Sequence, residues 1–159
     1  LAVAQILCEI GINDEDVLIA AVLHDTLEDT KTTPEELRFK FGDRVLGIVQ
    51  ECTDDPTLDR EAQRLMQVKS APHKSYPAKL VKCADKTDNM RDLVRCPPGW
   101  ETWKIRKYAE QGRAVVQALN SANELPQALI SAFWNASQEV FDWCDEMDVR
   151  AAKETVKES

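Results

Sequence analysis

The sequence predicts an all-α fold, a single helical bundle, and three features predict it. Glycine is scarce, with five in 159 residues, while Ala, Leu, Glu, Lys and Gln, all good helix formers, are abundant. The β-branched residues are scattered rather than run together, so no stretch alternates as a half-buried strand would. Capping residues recur in front of apolar positions that repeat at helical spacing. A chain of this length buries one substantial core without staples, which sets the expectation at one domain over residues 1–148 and a polar, fraying tail over 149–159.

The elements follow in order. Leu1, Val3, Ala4, Ile6 and Leu7 open the chain inside an apolar pattern, as if entering a helix already under way, so a preceding helical segment is expected. Asn13 is placed as an N-cap, with Asp14, Glu15 and Asp16 in the electropositive first turn, and predicts one helix from about 14 to 28. Thr33, Pro34 and Glu36 form a capping-box start, and Gly42 is placed to end that short helix. Asp43 then caps another helix, carrying Val45, Ile48, Val49 and Cys52. After a turn at Thr53–Pro56, a polar helix spans about 58–69, followed by the loop Ala71-Pro72-His73-Lys74-Ser75. The apolar positions Leu80, Val81, Ala84 and Met90 predict a helix from 77 to 95, closed by Cys96-Pro97-Pro98-Gly99. Two more helices fit about 101–119 and 124–145. The second has an aromatic face of Phe133, Trp134, Phe141 and Trp143, suited to core packing or to a homodimer contact.

Charge and cysteine usage narrow the function classes. The five cysteines are odd in number, widely spaced and without a C-x-x-C pair, which points to reduced thiols in a cytoplasmic protein rather than a disulfide framework. No apolar run approaches the roughly 18 residues of a membrane span, so no membrane partner is expected. The net charge of −8 argues against nucleic acid as a partner. The distribution matters more: residues 60–113 carry 13 basic and 6 acidic side chains, a basic island between acidic flanks. Either it is a set of solvated helix faces or it receives an anionic ligand.

The residues that carry chemistry lie in two segments. His24 follows Val17, Ala20 and Ala21 by seven, four and three residues, which puts the imidazole on their apolar face. Asp25 adjoins it, and Glu28 and Asp29 stand one turn on, so one imidazole and three carboxylates gather at a helix end. An ordinary acidic helix terminus is the plain alternative. A bound cation resolves the repulsion and desolvation that the cluster otherwise incurs. In the second segment Asp85 follows Val81 and Ala84 onto a buried face, where an unpaired carboxylate is expensive, and Asn89 lies one turn further. Taken singly, a core asparagine or a surface ion pair explains each. Together, two inward carboxylate-bearing helices favour a shared metal held by His24, Asp25 and Asp85, with a further ligand wanted and expected upstream of Leu1. His73, the only other histidine, fits a phosphate contact better than a metal ligand.

These residues resemble a known family. The run Ala20–Thr30, then Phe41-Gly42, Thr53-Asp54-Asp55, Ala71–Ser75 and Ala84-Asp85-Lys86-x-x-Asn89-Met90-Arg91-Asp92-Leu93 is similar, in the same order, to the small alarmone hydrolases. These are stand-alone relatives of the RelA/SpoT hydrolase domain, the metazoan SpoT homologue among them. The resemblance implies an HD-domain helical bundle, Mn²⁺ as cofactor, and removal of pyrophosphate from the 3′ position of (p)ppGpp, a guanosine polyphosphate. It implies His24, Asp25 and Asp85 as metal ligands, with a first histidine just before the segment that begins at Leu1. Glu28 and Asp29 match the acidic pair that activates water, and Asn89 a site asparagine. Arg60, Lys104 and Tyr108 match contacts to the nucleotide, beside the basic His73, Lys74 and Lys86 as further substrate contacts. Two alternatives stand next to this reading: an HD phosphatase for another nucleotide, such as a 2′-phosphorylated nicotinamide dinucleotide or a nucleoside monophosphate, and a silent module that binds a nucleotide or partner.

Overall fold

Side-chain caps start four of the helices, among them the one opened by the Thr33 capping box. In the structure, a computed structural model that describes residues 1–157, the α-helices are α1 (Ala2–Glu9), α2 (Glu15–Leu23), α3 (Thr26–Asp29), α4 (Pro34–Cys52), α5 (Arg60–Ser70), α6 (Tyr76–Arg95), α7 (Thr102–Leu119) and α8 (Gln127–Lys157), with a 3-10 turn at Ala71–His73. No strand is present among the described residues, in keeping with the all-α expectation. The capping box forms as read: Thr33 accepts from the Glu36 N–H at 3.2 Å, and Glu36 accepts from the Thr33 N–H at 2.9 Å. Asp59 and Ser75 cap α5 and α6 in the same manner.

Five local expectations need correction. Asp14, not Asn13, caps α2, its carboxylate accepting from the Val17 N–H while also binding Arg44. The expected helix 14–28 is broken at His24–Asp25 into α2 and α3. There the His24 ring bonds the Ala21 carbonyl and the Thr26 hydroxyl donates to the Leu23 carbonyl, so side chains take acceptors that the helix ladder would use. Gly42 does interrupt its helix, with φ 88° and ψ 172°, but the chain bends and resumes directly, giving α4 a kink rather than an end. Asp43 makes no cap there; its carboxylate accepts from Arg38 Nε at 2.7 Å. Residues 149–157, read as tail, continue α8, exposed through Val156.

Helix α6 runs through the middle of the molecule and packs against α1, α2, α4, α7 and α8. Its central position explains its composition, since Leu80, Val81, Cys83, Ala84, Thr87 and Met90 are all buried and cover most of its circumference. Phe133 of α8 is fully buried, and Gly112 of α7 lets that helix approach, a Cβ there lying 3.0 Å from Met90 Cε. The aromatic face of α8 divides: Phe133 and Val140 are buried, Phe141 and Trp143 are half-buried and Trp134 is exposed, with Arg113 over the rings of Phe141 and Trp134 at 4.2 and 5.4 Å. No helix among the described residues is long and apolar enough to cross a membrane.

Candidate metal centre and anion cavity

The break between α2 and α3 shapes the centre. Adjacent side chains on a straight helix diverge by about 100°, but the kinked turn brings His24 Nε2 to 2.9 Å from Asp25 Oδ2. From α6, Asp85 Oδ1 reaches the same nitrogen at 3.3 Å. The three donor atoms lie within 4.8 Å of one another. Asp85 and His24 are largely buried, at 13 % and 14 % exposure, and Asp25 faces solvent. Asn89 donates to Asp85 Oδ1 at 3.3 Å and steadies it.

The electrostatics of this trio demand a positive charge. Burial pulls the His24 pKa down, but the hydrogen bonds to Asp25 and Asp85, the Asp85 charge and the Ala21 carbonyl outweigh it and raise it to about 10. Burial pushes Asp85 up, but the His24 hydrogen bond and the Lys86, Lys82 and His24 charges overcome it and hold it below the usual carboxylate range. A proton on Nε2 is one way to supply the charge. A divalent metal is another: with Nδ1 occupied by the Ala21 carbonyl at 2.8 Å, Nε2 is left to face the two carboxylates. One imidazole nitrogen and two carboxylate oxygens form a donor set that fits a borderline divalent ion, so the residues present fit a metal.

The acidic pair divides. Glu28 accepts from the Asp54 N–H at 2.6 Å, and its pKa is raised, first by burial and also by the Asp54 and Asp25 charges. Asp29 is exposed, and its carboxylate makes no hydrogen bond or ion pair among the described residues.

Of the expected substrate contacts, Arg60, Lys86 and Tyr108 line one cavity of about 210 Å³ between α5, α6 and α7. Arg64, Gln63, Gln67, Gln111 and Gly112 complete it, so three cations and no carboxylate surround the space. The Lys86 ammonium has no hydrogen bond or ion pair among the described residues, and burial lowers its pKa against the Asp85 charge. Tyr108 also lines a second cavity with Asn89 and Trp100, and its ring lies 6.0 Å from that of Trp100. Lys104 sits over the Trp100 ring at 4.8 Å, one turn from Tyr108. His73 is exposed at the end of the 3-10 turn, outside both cavities, and Lys74 is bound to the Glu51 carbonyl at 2.5 Å. Sequence reasoning missed Arg64, Gln63 and Gln67. Their spacing along α5 with Arg60 (60, 63, 64, 67) is one helix face, a signal present in the sequence.

Comparison with known proteins decides the family. The HD domain family profile matches residues 1–127. The chain belongs to the HD domain family. This HD domain is 49% identical over 127 residues to the guanosine-3′,5′-bis(diphosphate) 3′-pyrophosphohydrolase MESH1 of Xenopus tropicalis, covering 79% of this chain and 71% of that one. It is 48% identical over 136 residues to the Homo sapiens MESH1, covering 84% and 76%. A solved metazoan ortholog of SpoT, which hydrolyzes ppGpp, superposes with a TM-score of 0.80 at 36% identity, covering 87% of this chain and 77% of that one. A Listeria monocytogenes protein at 24% identity and TM-score 0.72, covering 88% and 93%, shares the fold.

Proposed function

We propose that this HD domain is a metal-dependent guanosine-3′,5′-bis(diphosphate) 3′-pyrophosphohydrolase, converting (p)ppGpp to GDP or GTP and pyrophosphate. The observation that carries the reading is the pairing of the His24, Asp25 and Asp85 donors with a cavity of three cations that opens along the same helix, α6. The names and identities of the relatives support the substrate. His24 Nε2, Asp25 and Asp85 would hold the metal, and the imidazole and carboxylate set favours Mn²⁺ over Mg²⁺. When bound, the metal supplies Lewis acidity and neutralises phosphate charge.

The chain's own residues do the rest. Arg60, Arg64 and Lys86 bind and orient the phosphates. Tyr108 and Lys104 take the nucleotide beyond them. Glu28, held at Oε1 by Asp54, keeps Oε2 to accept a proton from the attacking water, and its raised pKa makes it a better base than a free carboxylate. Asp29, exposed beside it, passes that proton on to solvent. Water's oxygen ends on phosphorus, the ester to O3′ breaks, and O3′ takes up a proton. Asn89 keeps Asp85 in register. The five free cysteines fit a reducing cytoplasm.

One observation favours a second reading, a module that binds nucleotide without turning it over: only three donors converge among the described residues. Both readings are tested by incubating the purified chain with Mn²⁺ and ppGpp and identifying products. Pyrophosphate with GDP supports the hydrolase. Binding without products supports the module, and orthophosphate from a 2′-phosphorylated nicotinamide dinucleotide, with ppGpp untouched, assigns a different substrate.

A further inference from the structure

The turn after α4 holds Glu28, and a buried lysine holds the turn. The last carbonyls of a helix have no partner inside it. At the end of α4 the Cys52 carbonyl accepts from Lys82 Nζ at 2.8 Å, and the Glu51 carbonyl accepts from Lys74 Nζ at 2.5 Å. Two residues beyond Cys52, the Asp54 N–H donates to Glu28 Oε1, and the Asp54 carboxylate accepts from Gln67 Nε2 at 2.5 Å. Gln67 lines the cationic cavity. One short turn therefore reaches both Glu28 and the phosphate cavity, and its anchor is Lys82.

Lys82 is an unusual anchor. Its side chain is buried, at 7 % exposure, yet its one hydrogen-bond acceptor among the described residues is a neutral carbonyl. A buried ammonium with one neutral partner is expensive. What offsets it is the field of Asp85 and Glu28 of the candidate site and of Asp54 in the turn itself. Lys79, one turn earlier on α6 and equally buried, pairs directly with Glu124 away from the site, as a structural lysine does.

We propose that Lys82 is a positioning residue: bonded to the Cys52 carbonyl, it fixes the Thr53–Asp54 turn so that the Asp54 N–H aims the Glu28 carboxylate. The inference rests on the reading of Glu28 as the proton acceptor.

The test compares Lys82→Met, Lys82→Arg and Lys79→Met in the whole chain, with two readouts. The first is the Asp54 backbone amide by NMR, as its shift and its exchange protection, which needs no activity. The second is kcat and KM for ppGpp with Mn²⁺ at a temperature where all variants are folded. Lys82→Met is expected to lose Asp54 protection by at least about 10-fold and kcat by about 10- to 100-fold, with KM within about 2-fold. Lys82→Arg restores most of both, and Lys79→Met lowers Tm without moving either. Should Lys82→Met not fold, Lys82→Gln, too short to span the contact but polar at its tip, is read the same way. An unchanged Asp54 amide without Lys82, or an equal loss in Lys79→Met, overturns the inference. If the wild-type chain releases no pyrophosphate, the hydrolase reading fails on its own and the amide comparison still decides the role of Lys82.

Discussion

At the scale of single residues, His24 is the group whose state matters most. Its folded pKa, about 10, lies above the ordinary 6.5, so its contribution to stability is full below about pH 6.5 and is lost as the pH climbs through 10. Metal-free wild type should therefore lose urea resistance between pH 7 and 10 relative to His24→Gln, and equal slopes in the two proteins would contradict the assigned contacts. Asp85→Asn removes a buried donor and is expected to weaken Mn²⁺ binding by more than about 100-fold, since even an outer contact to a ligand is worth 10- to 100-fold. Asn89→Ala, which only frees the Asp85 carboxylate, should fall inside that lower range. Calorimetric titration with Mn²⁺ ranks the two, and a reversed order would reassign them.

At the scale of elements, the α2–α3 break and the α4 kink position the site. Gly42 has φ 88° and ψ 172°, a region that only glycine occupies comfortably, and no atom lies within 4 Å of a Cβ built there. Gly42→Ala should thus cost about 1–3 kcal/mol through backbone strain alone. Thr33→Ala, which removes half of the capping box, should cost about 1 kcal/mol. Chemical denaturation measures both, and a neutral Gly42→Ala would mean that the bend relaxes elsewhere. Because α4 ends at the turn that holds Glu28, a change in its bend is read again in kcat.

At the scale of the whole molecule, charge distribution and core packing dominate. A protein of net charge −8 repels a polyanion at long range, so Arg60, Arg64 and Lys86 must act locally, inside a Debye length of about 8 Å at physiological salt. KM for ppGpp should rise with ionic strength while kcat stays nearly constant, and Arg64→Ala should flatten that rise. A salt-independent KM would remove the cavity from the binding step. Phe133 is fully buried against the α6–α7 layer, so Phe133→Ala should cost about 3–5 kcal/mol. Thermal unfolding checks it.

How far the sequence alone reached differs by feature. The helices, the Thr33 capping box, the helical break at Gly42 and the inward side of Asp85 were legible, because caps, glycine and period 3.6 are local properties written in neighbouring residues. The His24-Asp25 pair and Asp85 were legible as candidates for the same reason. Three matters were not. The separation of α2 from α3 depends on His24 and Thr26 bonding backbone carbonyls, a competition between side chain and ladder that spacing does not reveal. The split between Glu28, tied to Asp54, and exposed Asp29 depends on a turn 26 residues away in the chain. Lys82 and Lys86 differ by one helical turn, yet one ammonium is bound to the Cys52 carbonyl and the other lines the cavity with no partner among the described residues. The sequence by itself determined which residues have metal and phosphate chemistry, since that is set by their functional groups. Only the tertiary structure decided which of them meet, since convergence to within 4.8 Å is a property of packed helices and not of chain order.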